Sequence, residues 1–144
     1  MDNLEVSIYI KTKLVGNPKG KGTAVAIVEY IGKDNVHTRT YSIRMQEETR
    51  NALNLKICIQ AMRQLRKPCT VVIYIDGEYL KSTHERELVK RWQQNDWKKQ
   101  NNQPPANLED WKHFYYLTEI HKVQFLHYQD KYETELKAEL EVKK

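Results

Sequence analysis

Residues 69–76 read CTVVIYID, and this stretch decides the fold of the chain. Val71 to Ile75 carries apolar side chains on both faces, which is typical of a strand buried in the centre of a sheet. A helical pattern ends just before it, at Pro68. Because a strand reached through a helical crossover pairs in parallel with its neighbour, we expect this strand to be parallel to the one beside it. Asp76 lies at its carboxyl end and is the first candidate functional residue.

The residues before this helix predict an antiparallel meander. From Leu4 to Lys11 apolar and polar residues alternate, as in a strand with one buried face. The glycine- and proline-containing stretch GNPKGKG then forms a turn, and IGKDN forms a hairpin connection. The three predicted strands are 4–11, 23–30 and 36–45.

The remaining segments alternate between helical and strand patterns. Leu53, Ile57, Ala61 and Leu65 recur every four residues, which predicts a helix from Glu47 towards Pro68. The other predicted elements are a helix that starts at a Ser82–Glu85 capping box and runs to about Lys99, a helix capped by Asn107 that runs to about Ile120, a strand over 123–128, and a C-terminal helix behind an Asp130–Glu133 capping box. The chain is therefore predicted to be an α/β protein with a five-stranded mixed sheet, three antiparallel strands then two parallel ones, flanked by helices.

Bulk composition sets limits on location and partners. With 144 residues, one domain spanning 1–144 is expected. A net charge of +5 favours a polyanionic partner, though weakly. Cys58 and Cys69 lie eleven positions apart without a metal-binding spacing, so we expect free thiols in a reducing compartment. No segment approaches the ~20 apolar residues of a membrane span. We therefore expect a cytoplasmic protein with no membrane partner.

Three motifs carry a resemblance to a known family. VSIYIKTKLVGNP at 6–18 resembles the first strand and turn of bacterial ribonuclease H, and CTVVIYIDGEYL at 69–80 resembles its fourth strand. Trp92, Trp97 and Trp111 reproduce the spacing W-x4-W-x13-W of the family's basic protrusion and the helix that follows it. The resemblance implies the ribonuclease H fold over nearly the whole chain.

The resemblance also implies a chemistry that can be checked residue by residue. Members of the family cut the RNA strand of an RNA–DNA hybrid with two divalent ions, which clustered acidic side chains hold. Of the four acidic positions, this chain keeps only Asp76. Lys11 stands at the first, Ala52 at the second, and Thr134 near the last, where the alignment can slip to Glu133 or Glu135.

These replacements predict an inactive site. A lysine at position 11 places an ammonium group where a metal ion belongs, and an alanine at position 52 removes a ligand. We expect Lys11 and Asp76 to form an ion pair that replaces metal coordination. The interpretation is a degenerate site with no intact catalytic set and no cofactor.

A remodelled metal site is the alternative. Glu48 lies one helical turn before Ala52, and Glu78 lies two residues after Asp76. Asp76, Glu48 and Glu78 together could hold Mg²⁺ or Mn²⁺, although a lysine among them would oppose this electrostatically. On this alternative the chain is a divergent, metal-dependent ribonuclease H.

Basic and aromatic residues predict a nucleic-acid surface. Asn17 keeps the turn asparagine with which the family contacts substrate, whereas the family's other amides are replaced by carboxylates such as Glu48 and Glu78. The alternative is that the lysines form a solvated helix face above packed tryptophans. The predicted binding residues are Asn17, Lys13, Lys19, Lys21, Lys90, Arg91, Trp92, Trp97, Lys98 and Lys99.

Three functions follow from these residues. The first is an inactive ribonuclease H-like protein that binds RNA–DNA hybrid or duplex through its lysines. The second is the divergent active nuclease, and the third is a pseudoenzyme that serves as a protein-interaction module. The sequence identifies no protein partner.

Overall fold

The first three strands form the predicted antiparallel meander, and two parallel strands extend the sheet on its other side. The computed structural model describes residues 4–142, so the single-domain prediction for 1–144 extends beyond the described residues at both ends. The sheet order β3-β2-β1-β4-β5 confirms the predicted mixed sheet. Its strands are β1 (Leu4–Gly16), β2 (Lys19–Ile31), β3 (Val36–Thr49), β4 (Cys69–Ile75) and β5 (Lys122–His127).

The strand that decides the fold sits where the sequence places it. β4 pairs in parallel with β1 on one side and with β5 on the other. Val71, Ile73 and Ile75 are buried, because this strand has neighbours on both edges and helices on the sheet face. Its carboxyl end therefore points Asp76 out of the sheet, close to the middle of β1.

Helices cover both faces of the sheet. One face carries the larger core, in which Trp111, Phe114 and Phe125 are fully buried. The opposite face carries a smaller core of Tyr9, Val25, Ile27, Leu136 and Leu140. The helices are α1 (Arg50–Met62), α2 (Tyr79–Glu85), α3 (Leu88–Gln94), α4 (Leu108–Ile120) and α5 (Glu133–Leu140), with a 3₁₀ turn over Asp130–Tyr132.

The start of α1 differs from the prediction. β3 continues past Met45, because Thr49 still pairs with Lys19 of β2. Thr49 is then the N-cap of α1, and its hydroxyl accepts a hydrogen bond from the backbone N–H of Ala52 at 3.1 Å. Such a cap satisfies one of the free donors of the first turn.

The single helix predicted from Ser82 to about Lys99 is wrong. Two short helices, α2 and α3, replace it, and Glu87 between them has φ 55°, a left-handed conformation that interrupts a helix. Ser82 lies inside α2 and does not cap it, because the helix begins at Tyr79.

Two further predicted caps do not form their capping hydrogen bonds, and only the first stands at the N-cap position of its helix. Asn107 directly precedes α4, yet its φ is 61° and its side chain makes no capping hydrogen bond. The Asp130–Glu133 pattern forms the 3₁₀ turn, and α5 begins only at Glu133.

The two cysteines are buried free thiols, as predicted. Burial raises the pKa of the Cys58 thiol, which is fully enclosed. Among residues 4–142, none of the helices has the length and apolar character needed to cross a membrane.

Candidate functional site

A cleft of about 270 Å³ opens where β1, β4 and α1 meet, and we call it the central cleft. It contains two of the four positions that the resemblance assigns to metal ligands, Lys11 and Asp76. The cleft is lined by Ile10, Lys11, Thr12, Arg50, Asn54, Ile75, Asp76, Gly77 and Tyr128.

The predicted ion pair between Lys11 and Asp76 is wrong. The Lys11 ammonium instead lies 2.8 Å from Oε1 of Glu133, and 4.8 Å from the centroid of the Tyr128 ring. Asp76 lies in the same cleft but is exposed, and it forms no ion pair within residues 4–142. Lys11 therefore pairs with a carboxylate of the C-terminal helix α5.

Glu133 reaches Lys11 because the chain turns sharply after β5. The 3₁₀ turn is fixed to the sheet by Glu29, a buried β2 carboxylate that lies 2.7 Å from the Lys131 ammonium and accepts a hydrogen bond from the Tyr132 hydroxyl. These contacts lower the pKa of Glu29 against the opposing effect of its burial. The short connection thus brings the first residue of α5 over β1.

Glu133 is held in its charged form by several partners. Hydrogen bonds from Lys11 and from the Tyr128 hydroxyl lower its pKa to about 2. The Lys137 ammonium lies 3.6 Å away on the next turn of α5. The same arrangement raises the pKa of Tyr128, first through burial and then through its bond to Glu133.

The second and last acidic positions do not contribute ligands. Ala52 is fully buried in the first turn of α1, where its methyl group only packs. Thr134 is exposed on α5, while its neighbour Glu133 points to the cleft. The alternative register named above, Glu133 rather than Thr134, is the one whose side chain meets Lys11.

Hydrogen bonds join the start of α1 to β1 along the floor of the cleft. The Thr12 hydroxyl donates to Oδ1 of Asn54 at 2.6 Å, and Nη1 of Arg50 donates to the Thr12 carbonyl at 3.1 Å. Asn54 is almost fully buried, so this bond satisfies a polar group that would otherwise be costly.

These residues do not fit a pair of divalent ions. Two such ions need several convergent carboxylates, whereas this cleft is lined by one carboxylate, Asp76, and two cations, Lys11 and Arg50. In the described part of the chain no three His, Cys, Asp or Glu side chains are grouped so that they could hold a metal ion. The alternative set is not assembled, since Glu48 accepts from the Thr49 N–H and Glu78 lies 3.7 Å from His127.

The turn asparagine predicted for substrate contact borders a second cavity, of about 570 Å³. Asn17 is exposed there, together with amide side chains from two other segments, Asn51 and Asn107. Arg50 lines both this cavity and the central cleft. Amide donors therefore remain on this surface: Asn17, which the resemblance identified, and Asn51 and Asn107, which it did not.

The lysines of the first turn are not equivalent. Lys13 forms an ion pair with Glu141 of the C-terminal segment at 2.9 Å. Lys19 and Lys21, both in β2, are exposed and form no ion pair within residues 4–142. Only the latter two have their charge fully available to a partner.

The predicted protrusion forms a third cavity, of about 560 Å³, which we call the basic cavity. Arg91, Lys98 and Lys99 line it, and Lys90 is exposed nearby on α3 without lining it. Arg86 is a fourth cation that the sequence analysis missed; it lies between α2 and α3, where one continuous helix was predicted. The lining residues are Arg86, Leu88, Arg91, Trp92, Asn95, Lys98, Lys99, Gln100 and Asn101.

The two protrusion tryptophans are partly buried against the main core. Trp92 packs edge-on against Trp111, with ring centroids 6.0 Å apart, and Trp97 packs edge-on against Tyr115 at 5.8 Å. Each therefore fixes the protrusion to α4.

Tyr128 is the other residue that the sequence analysis missed. Its signal was present, since it is the residue directly after β5 and begins the short connection to α5. The absence of a long loop there could have indicated that an aromatic hydroxyl and an α5 carboxylate share the cleft.

Comparisons with known proteins agree with this architecture. A family model described as RNase H matches residues 4–129. Ribonuclease H of Lachnoclostridium phytofermentans is 32% identical over 123 residues, which is 85% of this chain and 78% of the relative. Two solved structures, both below 25% identity, share the fold. The chain matches LC9-RNase H1 with TM-score 0.70 and 21% identity over 88% of this chain and 64% of that one. It matches LC11-RNase H1 in complex with RNA/DNA hybrid with TM-score 0.62 and 18% identity over 94% and 92%.

The family model covers most of the chain, and it spans the first strand, the Asp76 strand and the tryptophan-containing protrusion. The curated relative is 32% identical over 85% of this chain. On these grounds the chain belongs to the ribonuclease H family.

Proposed function

We propose that this protein is a catalytically inactive member of the ribonuclease H family that still binds RNA–DNA hybrid or duplex nucleic acid. The ion pair between Lys11 and Glu133, at 2.8 Å, carries the first half of the proposal. Lys11 stands where the family resemblance assigns a metal-binding carboxylate, so it brings a positive charge in place of a ligand, and Ala52 offers no ligand either. Two-metal cleavage needs both ions in place.

The basic cavity supports the second half. Its nine lining residues include four cations and no acid. A groove of this kind follows a phosphate backbone without reading its sequence. LC11-RNase H1, a protein of the same fold, has been solved with an RNA/DNA hybrid.

A hydrolysis assay tests the inactivity. The RNA strand of a labelled RNA–DNA hybrid is incubated with the purified protein and either Mg²⁺ or Mn²⁺, with a bacterial ribonuclease H as positive control. We expect no cleavage above the level of a blank. Cleavage that is lost in the Asp76→Asn variant would overturn the proposal.

One observation favours the divergent active nuclease instead. The curated relative described above is named Ribonuclease H. The same assay decides between the two functions, because a divergent nuclease gives cleavage that depends on both the metal and Asp76.

A further inference from the structure

Two cavities meet at Lys11. The central cleft adjoins a cavity of about 420 Å³ beneath α5, which we call the α5 cavity. Lys11, Thr12 and Arg50 line both of them. The α5 cavity is completed by Lys13, Leu14, Lys137, Leu140 and Glu141.

This double cavity carries an excess of positive charge. Its walls contain four cations and two carboxylates, and Glu133, bound to Lys11, adds a third carboxylate. The excess is one positive charge, at a place where the family holds a cluster of acids. The cations are Lys11, Lys13, Arg50 and Lys137, and the acids are Asp76, Glu133 and Glu141.

Arg50 has unused hydrogen-bonding capacity. Its side chain is exposed, donates once to the Thr12 carbonyl, and forms no ion pair within residues 4–142. A guanidinium has five N–H donors, and its fork matches two oxygens of a phosphate.

Lys11 can also bind a second anion. Its ammonium has three donors, and among residues 4–142 one carboxylate, that of Glu133, lies within ion-pair distance. Its side chain is 30% exposed, so an anion can approach from the cleft.

We propose that Lys11 and Arg50 hold one backbone phosphate of the bound nucleic acid directly, without a divalent ion. In this chain the lysine ammonium supplies the positive charge that metal ions supply in the family. The inference rests on the proposed nucleic-acid binding and adds the ligand of the central cleft, a phosphodiester group. Glu133 competes with the phosphate for Lys11, so it limits the affinity of the site.

The experiment is fluorescence anisotropy with a labelled RNA–DNA hybrid, in excess EDTA and again with magnesium chloride. The wild-type protein is expected to bind at least as tightly in EDTA as in magnesium. Lys11→Gln should weaken binding about 3–10-fold and reduce the slope of log affinity against log salt by about one. Lys11→Arg should retain most of the affinity. Lys33→Gln, an exposed lysine of the β2–β3 hairpin, is the matched control and should behave like the wild type.

A second variant covers the case in which Lys11→Gln does not fold. Glu133→Gln should bind the hybrid more tightly than the wild type, because Lys11 is then freed for the phosphate. Glu5→Gln, at the far end of β1, removes the same charge and should tighten binding less.

The outcomes separate the two proposals. Binding that requires magnesium overturns the inference, as does a Lys11→Gln protein that matches Lys33→Gln or a Glu133→Gln protein no tighter than Glu5→Gln. In each of those cases hybrid binding itself stands. If the wild-type protein binds no hybrid in either buffer, the proposed nucleic-acid function and the inference are both overturned.

Discussion

The central cleft and the basic cavity are both rich in cations, but they use their charge differently. In the cleft, the Lys11 ammonium already faces the Glu133 carboxylate, and Lys137 lies close to the same group. In the basic cavity, Arg86, Arg91, Lys98 and Lys99 form no ion pair with any residue of the described range 4–142.

This difference separates two contributions to binding. When an unpaired cation of the protein neutralises a phosphate, the counterions condensed on the nucleic acid are released, and this release favours association. A paired lysine must share its donors with an existing carboxylate, so its contribution is smaller. We therefore expect most of the affinity for nucleic acid to come from the basic cavity, and a smaller, adjustable part from the central cleft.

The largest expected effect comes from removing the support of the basic cavity. Trp92 lines that cavity and packs edge-on against the buried Trp111. Trp92→Ala should lower the free energy of unfolding by about 2–3 kcal/mol, because a large aromatic group is lost from a partly buried position. Urea denaturation measures this. Hybrid affinity should fall in the same variant, while Trp92→Phe keeps most of both. A Trp92→Ala protein with wild-type stability and full hybrid affinity would show that Trp92 does not stabilise the basic cavity.

Removing charge without removing packing should sharpen the comparison. The double variant Lys98→Gln/Lys99→Gln is expected to bind RNA–DNA hybrid about 10-fold more weakly and to lose about two units of salt slope. Its stability should stay within about 0.5 kcal/mol of the wild type, because Lys98 is exposed, Lys99 is half-buried, and neither forms an ion pair within residues 4–142. Fluorescence anisotropy at several salt concentrations gives the affinity and its salt slope, and urea denaturation gives the stability.

The matched control for that variant is Lys33→Gln/Arg39→Gln, which removes two exposed cations around the β2–β3 hairpin. Equal losses in the two double variants would mean that only net charge matters, and the basic cavity would have no special role.

Reversing the charge of Lys11 should remove the similarity between the two sites, because the central cleft then becomes rich in acids. Lys11→Asp brings a third carboxylate beside Glu133 and Asp76, and the acids then repel one another. We expect a loss of about 1–2 kcal/mol in metal-free buffer. Mg²⁺ should raise the Tm of this variant but not that of the wild type, because a dication relieves the repulsion.

Lys11→Gln is the control for that experiment, since it removes the ammonium without adding an acid. Differential scanning fluorimetry with and without Mg²⁺ measures the Tm of the wild type and of both variants. A wild-type protein that is stabilised by Mg²⁺ as much as Lys11→Asp would contradict the interpretation of the cleft as a cation-lined site.

The sequence predicted the fold better than the site, and the reason is physical. Alternation and helical period depend on local neighbours, so all five strands and the long helices α1 and α4 could be predicted. The break at Glu87 depends on a left-handed residue that no local pattern signals. Arg86 lies next to this break and was not among the predicted binding residues.

Two residues of the central cleft were predicted, but the ion pair that one of them forms was not. The family resemblance placed Lys11 and Asp76 in one cleft, as the structure has them. The partner of Lys11 depends on where α5 lies, and this depends on Glu29, Lys131 and the short turn after β5. Contacts between residues about 100 positions apart leave no local trace in a single sequence.

The smallest expected effect is a pH dependence that only the central cleft should show. Lys11 and Tyr128 lower the pKa of Glu133 to about 2 from its usual 4.5. A carboxyl with a lowered pKa in the folded state stabilises the fold above its unfolded pKa, and this stabilisation is lost as the pH falls from 4.5 towards 2. The Tm of Glu133→Gln should therefore lie below that of the wild type at neutral pH, by about 2 °C for a partly exposed group, and the two should converge in acid.

The double variant Lys98→Gln/Lys99→Gln should show no such convergence, because its cations have no carboxylate partner among the described residues. A Glu133→Gln protein whose Tm runs parallel to that of the wild type from neutral pH down to pH 2 would mean that Glu133 does not hold Lys11 in solution.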